Sequence, residues 1–90
     1  MMFISPQTGN TYTIVNTNKD IFVCYRELDN NEYRVRIQGN NPNTLAAVRT
    51  LLHFAWGSLK DDDHYSVVVS KGDLPFAVAD AIKAIVLATI

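Results

Sequence analysis

The sequence predicts an α+β domain: a two-layer fold in which a mostly antiparallel four-stranded sheet carries two helices on one face. Three observations predict it. Segments rich in β-branched and aromatic residues fill the chain up to Gln38, two apolar segments of helical period follow Pro42, and a β-branched run, Val67-Val68-Val69, lies between them. The element order is β-β-β-α-β-α, with an extra N-terminal strand possible.

Asparagine marks the boundaries. All eight asparagines fall in or beside expected turns, where their tolerance of left-handed backbone is useful. Thr11 to Val15 is β-branched and aromatic, and Phe3-Ile4 forms a short strand that hairpins onto it through Pro6-Gln7-Thr8-Gly9-Asn10. Ile21 to Leu28 is the next strand, entered from the turn at 16–20. Glu32 to Gln38 follows, with Tyr33, Val35 and Ile37 on one face and Glu32, Arg34, Arg36 and Gln38 on the other.

The turn Asp29-Asn30-Asn31 decides the register of that hairpin. A loop of even length sets Glu27 opposite Arg34 and Tyr25 opposite Arg36; a three-residue loop sets Arg26 opposite Arg34. Opposite charges across a pair help by ~0.2–1 kcal/mol and like charges hurt, so the even loop is expected. Phe22, Cys24 and Leu28 then face inward, and Ile21, Val23 and Tyr25 face out.

Asn43 or Thr44 is expected to cap a helix running to about Leu59, with one stripe at Leu45, Val48, Leu52, Ala55 and Leu59. Asp61-Asp62-Asp63-His64 reads as a polar connector. The strand at Tyr65 to Ser70 carries an unbroken apolar centre, the mark of a strand covered on both faces or interior to the sheet. A right-handed crossover would lay it parallel to a neighbour, beside the Thr11–Val15 strand. Asp73 caps the last helix and Pro75 sits in its first turn. That helix has a bulky stripe (Leu74, Val78, Ile82, Ile85), expected on the sheet. It has an alanine stripe (Ala77, Ala81, Ala84, Ala88), expected against the first helix, and a third stripe that holds Phe76, Asp80, Lys83 and Leu87.

The chain has 90 residues, 48% of them hydrophobic, and a formal charge of -1, which fits one domain over 1–90 and excludes a disordered chain. One cysteine, Cys24, rules out an internal disulfide. The N-terminus lacks a basic region followed by a long apolar stretch, so a cytoplasmic setting is expected. A charge near zero argues against binding that relies on bulk electrostatics, whether to nucleic acid or to a membrane surface. Leu74 to Ile90 is 17 residues with two charges inside it, too short and too polar to span a bilayer.

Candidate chemistry is sparse. Cys24 lies mid-strand and reads as a packed thiol. The Asp61–His64 run reads as a solvated linker, because neighbouring carboxylates diverge. Arg49, His53 and Lys60 form a small basic arc, read as a solvated helix face. No cofactor or metal is expected. The strongest surface signal is apolar and arginine-rich: Ile21, Val23, Tyr25, Arg34 and Arg36 on the open sheet face, with Phe76 and Leu87 on the last helix. The expectation is a non-catalytic interaction module that forms a homodimer or binds another protein, as a small inhibitor or immunity-type protein does. The alternative is a single-stranded nucleic-acid binder using Tyr25, Arg34 and Arg36.

Overall fold

The structure is a computed structural model, and it describes residues 1–5, 8–16, 20–58 and 64–90. The Asp61–Asp63 part of the acidic run lies outside the described residues. The elements are β1 (Met2–Ile4), β2 (Thr11–Ile14), β3 (Ile21–Glu27), β4 (Glu32–Gly39), α1 (Pro42–Leu51), β5 (Gly57–Ser58), β6 (His64–Ser70) and α2 (Leu74–Thr89). The predicted α+β class holds, extra N-terminal strand included.

Among the described residues, one antiparallel sheet runs in the order β1-β2-β3-β4-β6-β5. The last long strand therefore pairs with β4, not with β2, and runs antiparallel to it. The expected parallel crossover fails because α1 stops early and the chain returns through Leu52–Ser58 before entering β6. The β6 strand is interior but open on one side: Val69 is buried and Val68 is 41% exposed.

The register of the β3–β4 hairpin differs from expectation. Arg26 pairs with Arg34, Tyr25 with Val35 and Cys24 with Arg36. The loop is the odd one, and both Asn30 and Asn31 take left-handed backbone, at φ 63 and 60. Burial explains the choice. Ile21, Val23, Val35 and Ile37 all come to lie under the helices with at most 1% exposure. Each such side chain stabilises by ~1.5–3 kcal/mol, well beyond what cross-strand charges supply. Ile21, Val23 and Tyr25 thus belong to the helix-covered face, and Phe22 and Cys24 to the other.

The core joins those four side chains to Val69, to Leu45 and Val48 of α1, and to Ala77, Ala81, Ala84 and Ile85 of α2. Ala77, Ala81 and Ala84 of the small α2 stripe are fully buried and Ala88 partly so. Of the bulky stripe expected on the sheet, Ile85 is buried, and Leu74, Val78 and Ile82 are only partly buried. Alanine lets α2 lie close to its neighbours, α1 on one side and β3, β4 and β6 below.

Capping follows the sequence with small shifts. Asn41 caps α1, two or three residues earlier than expected, its side-chain oxygen accepting from the N–H groups of Asn43 and Thr44. Asp73 occupies the cap position of α2 but makes no side-chain capping bond.

Candidate functional surfaces

Two places in the fold carry exposed or unusual chemistry, and a third explains why α1 is short. The third is Asp80 on α2. Its carboxylate accepts hydrogen bonds from the main-chain N–H of His53 and Phe54 and from Trp56 Nε1, at 3.0–3.1 Å, and lies 3.1 Å from His53 Nδ1. Its side chain is 6% exposed. Burial opposes ionisation, but the donors from Phe54, Trp56 and His53 outweigh it and hold Asp80 below the usual carboxylate range. These bonds hold the segment after Leu51 out of helix and set Trp56 into the core. The expected helix to Leu59 ends at Leu51 for this reason. The helical stripe was real in Leu45 and Val48, but the carboxylate 27 residues downstream of His53 stops it. A lone acid among α2's apolar residues was the available signal.

The first surface is the sheet face turned away from the helices. Its pairing brings together Phe3 and Tyr12, Ile14 and Cys24, Arg26 and Arg34, and Arg34 and Val68. Arg36 is 3% exposed and reaches across the sheet. Its guanidinium carbon lies 5.3 Å from the Phe3 ring centroid and 5.6 Å from that of Tyr12. Phe3 also meets Phe22 edge-on at 5.2 Å. On a flat sheet β1 and β4 would stand ~14 Å apart, so these contacts require the sheet to curl toward this face. Arg36 then donates to Gln38 Oε1 from Nε and Nη2, at 2.9 and 2.6 Å, and to Ser5 Oγ from Nη1 at 3.4 Å. It is a structural cation held by rings and neutral acceptors.

Arg26 and Arg34 are different. They lie directly opposite one another, a like-charge pairing that costs ~0.2–1 kcal/mol. Arg34 donates to Ser66 Oγ, at 3.3 Å. Arg26 Nε is shielded from solvent and has no hydrogen-bond partner among the described residues. The even-loop register expected from the sequence turns Arg26 inward, which is why it is missing from the expected surface.

The observed register also dissolves the expected site. Tyr25 stands edge-on to Tyr33 at 5.9 Å on the helix-covered face, away from Arg34 and Arg36. Ile21 and Val23 are core residues and offer nothing to a partner. Cys24 is fully buried against the Arg36 carbonyl, and burial pushes its thiol up to about 12, with the Arg36 charge opposing. Such a thiol is protonated at neutral pH and a poor nucleophile. His64 is buried opposite Gln38, and among the described residues no three His, Cys, Asp or Glu side chains converge as metal ligands would.

The second surface is the outward stripe of α2. Phe76 is 65% exposed, and Val86 and Leu87 are 51% exposed. Lys83 lies between them, and Ala79 is exposed beside it. Of the residues expected to form an interface, Phe76 and Leu87 are the two the fold leaves in the open. An open cleft of about 720 Å³ sits at the start of α1, lined by Asp20, Asn40, Asn41 and Thr44 among others. The N–H groups there are already taken by the Asn41 cap.

The chain matches no protein-family model, and neither the curated proteins nor the solved structures include a significant match. No described helix is long and apolar enough to cross a membrane.

Proposed function

We propose that this chain is a non-catalytic protein-interaction module that pairs with a second copy of itself through α2. The observation that carries the reading is the outward stripe: three large apolar side chains at half exposure or more on a single helix. Large apolar side chains exposed together along one helix mark a contact site more often than isolated exposed residues do.

The stripe is complementary to itself when two copies cross antiparallel. A two-fold axis between Ala79 and Lys83 sets Phe76 against the other copy's Val86 and Leu87. It also lays the aliphatic stem of Lys83 along the small Ala79, with the ammonium free to reach water. No like charges meet in that arrangement. Cys24 and His53, the groups nearest to reactive chemistry, are committed elsewhere: the thiol is buried, and the carboxylate beside His53 serves main-chain donors.

The stripe runs from Phe76 to Leu87 within the 16-residue α2, about 17 Å. One helix pair falls short of the ~800 Å² per partner of a standard interface, so the dimer is expected to dissociate in the micromolar range. Sedimentation equilibrium should give a mass rising from 10.1 kDa toward twice that value as concentration rises. Leu87→Asp should hold the mass at one subunit while leaving the circular dichroism unchanged. A wild-type mass that stays at 10.1 kDa up to about 1 mM, the weak end of specific affinity, would end the self-association reading. The stripe would then belong to a different protein partner.

A further inference from the structure

We infer that Arg26 and Arg34 form a binding site for a phosphate-type oxyanion on the sheet face opposite the helices. The two residues occupy directly paired positions on β3 and β4. Among the described residues neither pairs with a carboxylate, and the ion pair of His53 with Asp80 is elsewhere. Arg26 Nε has no hydrogen-bond partner among the described residues, and Arg34 donates to the Ser66 hydroxyl. Glu32, the acid sharing this face of β4, is exposed and makes no ion pair with either.

Two fixed positive charges side by side repel unless an anion lies between them. A guanidinium offers paired N–H donors that match two oxygens of one phosphate, and two guanidinium groups match the near-dianionic charge of a phosphate monoester better than a single carboxylate. Ser66, opposite Arg36 and bonded to Arg34, adds a hydroxyl at the rim. Val68, opposite Arg34 and partly exposed, supplies an apolar edge that limits competing water. Arg36 contributes its charge from behind, held in place by its rings and Gln38.

The same face disfavours a nucleic-acid strand. The Tyr12 ring is 3% exposed and faces the Arg36 guanidinium, so no base can stack on it. The anion is therefore a phosphoryl group alone, either free phosphate or one carried on a protein side chain.

The test is a titration of the isotope-labelled full chain with inorganic phosphate at constant ionic strength, read at the arginine Nε–H resonances. Those of Arg26 and Arg34 should shift together and saturate, while that of Arg49 on α1 stays still. Arg26→Gln and Arg34→Gln should each weaken binding about tenfold or more, as expected for losing one charged bidentate partner, and Arg49→Gln should not. A phosphoserine peptide that saturates the same resonances at lower concentration than phosphate identifies a phosphorylated partner as the source. Weaker binding of the peptide identifies free phosphate. Shifts that never saturate, or equal loss in Arg49→Gln, overturn the site. So does an oligothymidylate that binds more tightly than both phosphate probes. Arg26 Nε makes no hydrogen bond among the described residues, and the circular dichroism of Arg26→Gln should match that of the wild type, which keeps the result readable. The surface is distinct from α2, so neither outcome depends on the dimer.

Discussion

On one side of the sheet, Val23, Val35 and Ile37 are closed by the alanines of α2; on the other, Arg36 is closed by the rings of Phe3 and Tyr12. Both faces bury side chains completely, but by different means. The helix side gains from apolar area, which is non-directional and scales with what is covered. The far side has no second layer and closes by curling, so its burial depends on a few directed contacts around one guanidinium. A face of the first kind loses stability in proportion to what is removed. A face of the second kind loses its shape when its centre goes.

The largest effect expected from breaking this comparison is on the helix side. Ile37→Ala should destabilise the fold by about 2–5 kcal/mol in urea unfolding, since the cavity left behind lies at the centre of the core. Next comes the tie that positions the helix layer. Asp80→Ala leaves the N–H of Phe54 and the indole N–H of Trp56 without acceptors, at a cost of about 2–4 kcal/mol. The pH dependence has a definite sign. The folded pKa of Asp80 lies below the 3.8 of the free group, so the folded chain binds fewer protons there than the unfolded one. Its contribution is complete above about pH 5 and fades as pH falls through 3.8, and thermal melts from pH 6 to 3 should show this loss in the wild type and not in Asp80→Ala.

Smaller effects sharpen the contrast on the far side. Arg36→Ala should cost about 1–2 kcal/mol, through lost stacking and hydrogen bonds, and should loosen β1 first, as hydrogen exchange at Phe3 and Ser5 would report. Arg26→Met should raise stability by a few tenths of a kcal/mol, up to about 1, by removing the charge opposite Arg34. If both substitutions cost the same, the far face is ordinary packing and the distinction between its arginines fails.

How much of this was legible varies with the range of the interaction. The hairpin of β1 onto β2, the spans of β3, β4 and β6, and the start of α2 at Asp73 and Pro75 come from local chemistry, which the sequence displays directly. Asn30 and Asn31 behave as turn residues of left-handed backbone, again a local property. The register of β3 on β4 was not legible from charges, because a preference of a few tenths of a kcal/mol is overridden by several buried aliphatic side chains. The same alternation could be read either way until the helices were placed. Phe76 and Leu87 were read correctly as outward residues, whereas Val23, Ile21 and Tyr25 moved inward together when the register slipped by one. The partnership of Arg26 with Arg34 was the outcome that the charge argument had rejected.

The short α1 carries one more consequence. Its end is set by a carboxylate that leaves the ribosome 29 positions after Leu51, long after α1 itself has emerged. Until Asp80 arrives, the periodicity through Leu52 and Ala55 has nothing to oppose it, and the nascent chain is free to wind onward. Docking of α2 then selects the short form of α1, because only that form presents the N–H groups of His53 and Phe54 to Asp80, so the last helix acts as an editor of the first. A chain stopped at Asp73 should show amide shifts of continued helix at Leu52–Ala55, which vanish when α2 is restored.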